Sequence, residues 1–353
     1  MTTATHHSKL WHWLLRPLLF QLPPEVAHQL VLTLGAQWAQ IFNRALPEND
    51  PTRAPQFNQQ LMGLTFPNPI GLAAGLDKDA EALLLWQRLG FGFIEVGTVT
   101  AQAQDGNPRP RLWRLPREQA LINRMGFNNA GAAALAKRLT NQHTAAPLQV
   151  PLGVNIGKTK AVALEHAAAD YRASVTQLAH LADYLVVNLS SPNTPGLRNL
   201  QTAEDIALLL NELQAVNLQL PAPRPLLVKL APDLPSAAAI TCAQAALDHG
   251  AAGLILTNTT NDFSHLTSAT LGMSGGLSGR PLWSRSTDLL ANVRAAVGKS
   301  PVLIGVGGIF TPADVAAKLA AGANLVQIYT GLIYQGPGLV RHLLRQLDWS
   351  AGN

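Results

Sequence analysis

Eight apolar runs of strand length recur along the chain, and most are separated by stretches rich in alanine and leucine. The runs cover residues 69–75, 93–99, 152–157, 184–189, 226–230, 253–257, 302–306 and 325–329. Helical patterns between them include residues 80–89, 166–181, 237–249 and 312–321. A doubly wound sheet usually has fewer strands and a G-x-G-x-x-G turn after the first, which is absent here. The alternation therefore predicts an α/β fold, a (β/α)8 or TIM barrel.

Composition limits what can accompany the barrel. A barrel of about 250 residues with an appendage accounts for the 353 residues, so we predict one large domain at 46–353. The single cysteine, Cys242, excludes an intramolecular disulfide and a multi-cysteine metal or iron-sulfur site within the chain, and we predict no metal. The net charge of +5 favours an anionic partner, such as a phosphate, a carboxylate or an anionic membrane surface. No Lys/Arg-rich block with interleaved aromatics suggests nucleic acid.

Residues 1–45 differ from the rest, and we predict a helical hairpin there. The apolar run at 10–20 is broken by Arg16 and Pro17, so it is too short to span a bilayer and lacks the features of a signal peptide. Pro24 marks the start of a second helix whose apolar residues continue to positions 41–42. On these residues alone, a hairpin lying on a membrane and a cap packed on the barrel are equally supported. The first ten residues are predicted to be disordered.

Glycines, amides, hydroxyls or lysines follow every one of the eight runs. They stand at 73–79, 97–100, 155–158, 188–196, 229, 257–260, 305–308 and 329–331. Helix capping would explain one such cluster, but repetition at all eight strand ends favours a functional site on one rim of the barrel. The glycines after the seventh strand and the Tyr-Thr-Gly after the eighth predict a phosphate site.

Two features of this rim indicate its chemistry. The loop at 188–196 offers two amides and three hydroxyls but no acid, histidine or cysteine, so proton transfer there must use a hydroxyl. Lys229 lies inside an apolar run and must face an anion or an electron-rich cofactor. A Schiff-base role for Lys229 stays open at this point.

Six motifs in the same order resemble those of class 2 dihydroorotate dehydrogenases. They are residues 71–79 (GLAAGLDKD), 122–129 (INRMGFNN), 188–198 (NLSSPNTPGLR), 257–260 (TNTT), 275–281 (GGLSGRP) and 305–309 (GVGGI). The resemblance covers essentially residues 20–345. It implies oxidation of (S)-dihydroorotate to orotate in de novo pyrimidine biosynthesis, with hydride transfer to FMN and electron transfer to a membrane quinone.

The resemblance also assigns roles to residues of this chain. Ser191 matches the general base, and Thr194 and Phe127 match its proton relay. The substrate-binding set implied is Lys78, Asn123, Arg124, Met125, Gly126, Phe127, Asn188, Asn193, Asn258 and Thr259. The FMN-binding set implied is Ala74, Gly75, Leu76, Asp77, Lys78, Thr98, Asn155, Asn188, Lys229, Thr257, Gly279, Gly308, Tyr329 and Thr330. Lys229 would stabilise the reduced cofactor.

Serine at position 191 places the chain in class 2, because class 1 relatives carry cysteine there and one class 1 subtype needs an iron-sulfur subunit. In class 2 enzymes the N-terminal helices lie on the membrane and form a quinone tunnel, whose inner end matches His28, Arg111 and Tyr329. The implied location is peripheral, on the cytoplasmic face of a bacterial inner membrane. Two alternatives are kept: an FMN barrel that uses NAD or fumarate, and an aldolase acting through Lys229.

Overall fold

Eight parallel strands close into a barrel, which confirms the predicted fold. The computed structural model describes residues 10–41, 50–270, 272–347 and 349. The barrel strands are β1 (Ile70–Leu72), β2 (Phe93–Val99), β3 (Leu152–Ile156), β4 (Tyr184–Asn188), β5 (Leu226–Leu230), β6 (Gly253–Leu256), β7 (Val302–Val306) and β8 (Leu325–Ile328). Each pairs in parallel with its sequence neighbours, and β8 pairs with β1 to complete the circle.

Helices surround the barrel. After two helices of the N-terminal extension, α1 (Arg16–Gln21) and α2 (Pro24–Ile41), they are α3 (Leu83–Leu89), α4 (Ala132–Ala145), α5 (Ala167–Leu178), α6 (Ala203–Asn217), α7 (Ser236–Asp248), α8 (Trp283–Val297), α9 (Pro312–Ala320), α10 (Thr330–Gln335) and α11 (Leu339–Gln346). The helix predicted at 80–89 begins only at Leu83, because Ala80 has a φ of 57° that no helix accommodates.

The barrel interior is filled with large apolar side chains below the rim. Phe66, from a short hairpin (Gln59–Leu61 and Leu64–Phe66), packs edge to face on Phe93 of β2 with ring centroids 5.4 Å apart. The ring of Phe93 lies directly against Gly71 of β1, so no side chain fits at position 71. This glycine is therefore required by close packing within the barrel.

We expect Gly71→Ala to lower the free energy of unfolding by about 1 to 3 kcal/mol, because its methyl group overlaps the Phe93 ring in a closed core. Gly338→Ala is the control, since a Cβ at position 338 meets nothing within 4 Å and its φ of −82° is open to alanine. Denaturant unfolding of both variants measures the difference. Equal stability of the two would contradict the packing argument.

The N-terminal extension consists of a π-helical turn (Trp11–Leu15) followed by α1 and α2. Leu32 and Ala39 lie on the buried side of α2. The Trp11 indole donates a hydrogen bond of 3.1 Å to the Tyr334 carbonyl. In the described part of the chain, no helix is long and apolar enough to cross a membrane. Phe42, the proposed boundary at 45/46 and the predicted disorder of residues 1–9 lie outside the described residues.

A three-stranded antiparallel sheet accompanies the barrel and was not anticipated from the sequence. It joins Leu112–Leu115 and Ala120–Asn123, which form a hairpin between β2 and α4, to Gly276–Gly279, which lies between β6 and α8. The sheet brings Asn123 and Ser278 to the carboxyl end of the barrel. One wall of the site is thus built from segments far apart in the chain.

Candidate active site

A cleft opens at the carboxyl ends of the barrel strands. Its walls carry residues from the ends of β1, β2, β4, β5, β6, β7 and β8 and from the antiparallel sheet. Nineteen of the residues predicted for the site line it: Ala74, Gly75, Lys78, Thr98, Asn123, Met125, Gly126, Phe127, Asn188, Ser191, Asn193, Lys229, Thr257, Asn258, Thr259, Gly279, Gly308, Tyr329 and Thr330. Seven of the eight strand ends therefore meet at one cleft, and the end of β3 contributes no lining residue.

Asn188, the last residue of β4, is held rigidly. Its amide nitrogen donates to Thr98 Oγ1 at 2.9 Å and to Asn155 Oδ1 at 3.1 Å. Its amide oxygen accepts a bond from the Ser190 hydroxyl, and Ser190 Oγ accepts one of 3.0 Å from the Asn258 amide. Because every partner is buried or part of this network, the side chains of Asn188 and Asn258 are held in one orientation at the cleft.

Ser191 lies next to this network and faces the cleft, with only 5% of its surface exposed. Its hydroxyl accepts a hydrogen bond of 3.2 Å from the Asn193 backbone N–H, and the Asn193 amide in turn donates to Asn123 Oδ1 at 3.1 Å. The Ser191 proton is therefore free for another acceptor. The Thr194 hydroxyl, three residues further on, is buried with no hydrogen-bond partner among the described residues.

Phe127 covers another part of the cleft in an unusual backbone conformation. Its φ is 54°, in the left-handed region that non-glycine residues seldom occupy. The Phe127 carbonyl accepts hydrogen bonds from the side-chain amides of Gln104 and Asn129, which hold it there. Such strain, maintained by neighbouring groups, is typical of functional sites.

Lys78 lies where the cleft meets a second cavity. Its ammonium donates to the Gly75 carbonyl at 3.0 Å. Burial lowers the pKa of Lys78 to about 8, and the nearby Arg111 charge adds to this, although Asp79, Glu25 and Asp77 act in the opposite direction. The lysine is thus a cation near neutral pH that gains from an anionic partner.

Lys229 has a partner inside the barrel that the sequence analysis missed. Its ammonium lies 3.7 Å from the carboxylate of Glu95 on β2, which is fully buried. Glu95 also accepts hydrogen bonds from the Asn155 amide at 2.8 Å and from Gln327 of β8. Glu95 could have been found from the sequence, because it is a charged residue inside the apolar run 93–99. Lys229 was identified in the same way, inside the run 226–230.

The turn after β7 has the form of an anion site. Gly307 and Gly308 have φ values of 116° and 75°, so their backbone conformations favour glycine. Among the described residues, the amide N–H group of Gly308 donates to no group of the chain, whereas that of Gly307 belongs to the pairing of β7 with β8. Thr330, at the start of α10, and Ser278 share a hydrogen bond of 2.8 Å beside this turn. Unpaired backbone donors at a glycine turn are typical of phosphate binding.

Five of the residues predicted for the substrate, the cofactor or the proton relay do not line this cleft. Leu76 packs in the hydrophobic core, and the buried Asp77 accepts hydrogen bonds from Glu81, Ala82 and Trp86 at the start of α3. Arg124 stacks over Trp113, away from the cleft. Asn155 and Thr194 lie one layer behind the lining residues. Conversely, Ser278 and Gln327 line the cleft without having been predicted.

The second cavity lies between α2 and the barrel, and it is lined by His28 and Arg111 together with Lys78 and Met125, which line both spaces. His28 Nε2 donates to the Leu76 carbonyl, and burial lowers the pKa of His28 to about 4, so the ring is neutral at physiological pH. Arg111 Nε pairs with Glu25 Oε1 at 2.9 Å. Tyr329, predicted for the same end, lines the first cleft instead.

Comparisons with known proteins agree on one family. Residues 56–350 match the family model described as dihydroorotate dehydrogenase. A protein of Chloroflexus aurantiacus named dihydroorotate dehydrogenase (quinone) is 47% identical, over 94% of each chain. One of the same name from Gloeobacter violaceus is 49% identical, over 95% of this chain and 93% of the relative. The crystal structure of DHODH from Eimeria tenella in complex with ferulenol superposes with a TM-score of 0.84, at 38% identity, covering 92% of this chain and 90% of the other.

Proposed function

The chain is an oxidoreductase that belongs to the dihydroorotate dehydrogenase family, and from that premise we propose that it oxidises (S)-dihydroorotate to orotate with FMN as its cofactor and a membrane quinone as final acceptor. The observation that carries this proposal is the amide cluster at the cleft. Asn123, Asn188, Asn193 and Asn258 all line the cleft that holds Ser191. Amide groups pair with the alternating donors and acceptors of a pyrimidine ring edge.

The residues present fit FMN. The N–H group of Gly308, which has no acceptor among the described residues, matches the phosphate, and Lys229 offers a positive charge to the electron-rich ring. Ala74, Gly75, Thr98, Thr257, Gly279, Tyr329 and Thr330 complete the lining. Bound there, FMN would supply the acceptor for the hydride that leaves C6 of dihydroorotate. Asn155 would act indirectly, by holding Asn188 and Glu95.

Ser191 is the proposed general base for the proton at C5. A serine hydroxyl is weakly basic, so it can act only where hydride loss from C6 makes the C5 proton easier to remove and where the proton can leave. Thr194, three residues from Ser191, supports the second condition, because its buried hydroxyl has no hydrogen-bond partner among the described residues. A water between the two hydroxyls would satisfy Thr194 and carry the proton away past Phe127.

Lys78 is the proposed partner of the substrate carboxylate. The second-order rate constant for reduction of the flavin by dihydroorotate should fall above about pH 8, approaching tenfold per pH unit. The reason is that the lowered pKa of Lys78, about 8, leaves the free enzyme with a neutral amine at higher pH. The rate at saturating substrate should fall less, because a bound carboxylate raises the pKa of the ammonium.

Stopped-flow reduction at varied substrate concentration and pH measures this effect. Lys78→Met is the control, because it should be slow at every pH and lose the decline near pH 8. A decline of the same size in Lys78→Met would show that another group is responsible.

The second cavity is the proposed quinone site. It lies under α2, contains the neutral His28 and the Arg111–Glu25 ion pair, and shares Lys78 and Met125 with the substrate cleft. A quinone there would lie beside Lys78 and Met125, the two residues that line both spaces. Tyr329 would contact the cofactor from the barrel side. The apolar surface of α1 and α2 supports a peripheral position on a membrane. We propose the cytoplasmic face of a bacterial inner membrane as its location.

Anaerobic mixing with dihydroorotate tests the proposal. The purified protein should carry a flavin spectrum that is bleached as orotate forms, and a quinone should restore the spectrum rapidly. Restoration by NAD or fumarate instead would favour the alternative FMN barrels. Covalent trapping of a substrate on Lys229 by borohydride would favour an aldolase, a role already opposed by the engagement of Lys229 with Glu95.

A further inference from the structure

Lys318 of α9 is a buried cation that the proposed mechanism does not use. The residue has no exposed surface, and in the described part of the chain no carboxylate lies within 4 Å of its nitrogen. Its aliphatic stem lies against Gly305 of β7, and its ammonium lies 5.1 Å over the Trp283 ring. A buried ammonium without a carboxylate is costly unless another anion compensates it.

The ammonium donates a hydrogen bond of 2.6 Å to the hydroxyl of Ser286 on α8, which is also fully buried. With its lone pairs engaged by Lys318, the Ser286 hydroxyl directs its own proton at the carbonyls of Trp283, 3.1 Å away, and Gly307, 3.5 Å away. A Cβ at Gly307 would lie 2.7 Å from Ser286 Oγ. Lys318 and Ser286 therefore lie directly behind the turn at 305–308.

The position of the Gly307 carbonyl, 3.5 Å from Ser286 Oγ, shows which way the turn presents its amides. In a trans peptide the C=O and N–H bonds point in opposite directions. Because the Gly307 carbonyl points back toward Ser286, the N–H of Gly308 points away from Ser286, and Gly308 lines the cleft. The same N–H donates to no group in the described chain.

We propose that Lys318, acting through Ser286, is the positioning residue of the phosphate-binding turn, and that its charge supports the phosphate of the cofactor from behind. The inference rests on the proposed function, since it takes FMN as the ligand. Lys318 does not touch the ligand in this proposal; it orients the Gly307–Gly308 peptide and supplies a positive field. Burial lowers the pKa of Lys318 to about 7, with Asp288 and Asp314 opposing, so an added dianion in the turn would favour the charged form.

The test compares FMN with riboflavin, which has the same ring system but no phosphate. Dissociation constants of both flavins are measured by flavin fluorescence on the full chain, starting from the holoenzyme, for wild type, Lys318→Met and Ser286→Ala. Lys137→Met is the control, because Lys137 is an exposed helical lysine on α4.

We expect Lys318→Met to weaken FMN binding about ten- to a hundredfold, and Ser286→Ala about three- to tenfold, as for loss of hydrogen bonds to charged and neutral groups. Riboflavin binding should change less than about twofold, since only phosphate contacts are altered.

The outcomes separate this inference from the proposed function. A wild-type FMN-to-riboflavin affinity ratio in Lys318→Met, or equal weakening of both flavins, would show that Lys318 is only structural and would overturn the inference alone. If Lys318→Met does not fold, the ratio in Ser286→Ala decides in the same way. Failure of the wild-type chain to bind FMN would overturn the proposed function as well.

Discussion

Replacing Ser191 with alanine should leave the flavin bound but slow its reduction by dihydroorotate by about 10² to 10⁴, the usual loss on removal of a general base. Ser191 is the hydroxyl of the loop after β4 that faces the cleft, and its own proton has no acceptor among the described residues. No acid, histidine or cysteine stands in the same loop to replace it. The substrate would therefore bind with its C5 proton facing a methyl group.

Ser190→Ala is the matched control. The Ser190 hydroxyl does not line the cleft but joins Asn188 to Asn258, so its loss should weaken substrate binding and leave the rate at saturation within about tenfold of wild type. Anaerobic stopped-flow absorbance of the flavin separates the two effects. If the flavin of Ser191→Ala is reduced at the wild-type rate, Ser191 is not the general base. If the reduction rate falls equally in both variants, the loop has only a structural role.

The barrel could be predicted because its strands are buried on both faces and so appear as uninterrupted apolar runs. The site could be predicted in outline for the same reason, since polar residues directly after such a run must stand on the rim. Asn188 and Ser191 are examples. Strand ends were less certain: 69–75 shortened to Ile70–Leu72, because the chain turns into a loop at Ala73 and Gly75 has a φ of 100°.

The antiparallel sheet could not be predicted, because its strands are short and its third strand comes from a distant segment. Ser278 and Leu121, which contact each other in this sheet, are 157 residues apart in the chain. Leu76 and Asp77 illustrate a different limit. The resemblance assigned a whole consecutive stretch to the cofactor, but side chains in a tight turn point in different directions, and these two point into the core and the start of α3.

In the described part of the chain, most of the exposed large hydrophobic side chains belong to the N-terminal extension. Among the described residues, the exposed large hydrophobic side chains of this segment are Leu10, Trp13, Leu14, Leu15, Leu18, Val26, Leu30, Val31, Leu34, Trp38 and Ile41. Only Leu208 and Leu218 are exposed to this degree elsewhere in the described chain. An apolar patch of this extent is unusual on a monomer and is typical of a surface that contacts a membrane or a partner.

This concentration predicts a large effect of two substitutions. The double variant Trp13→Asp, Leu18→Asp should lower the affinity for vesicles of anionic phospholipid by at least about a hundredfold, because each lost side chain contributes roughly 1.5 to 3 kcal/mol when buried in lipid. Trp13 and Leu18 are 82% and 53% exposed, so the fold should be unaffected. Cosedimentation measures vesicle binding, and turnover with a quinone embedded in the same vesicles should fall in parallel.

The control applies the same chemistry to the other exposed pair, Leu208→Asp and Leu218→Asp at α6, which are 60% and 69% exposed. Because α6 packs between α5 and α7, on the barrel wall, this variant should bind vesicles and turn over quinone like the wild type. Reduction of the flavin by dihydroorotate should be unchanged in both variants, since neither pair lines the cleft. If the Trp13 and Leu18 variant binds vesicles like the wild type, the hairpin is a cap on the barrel. If it loses vesicle binding but keeps flavin reduction, the apolar face of the hairpin holds the enzyme on the membrane that contains its quinone.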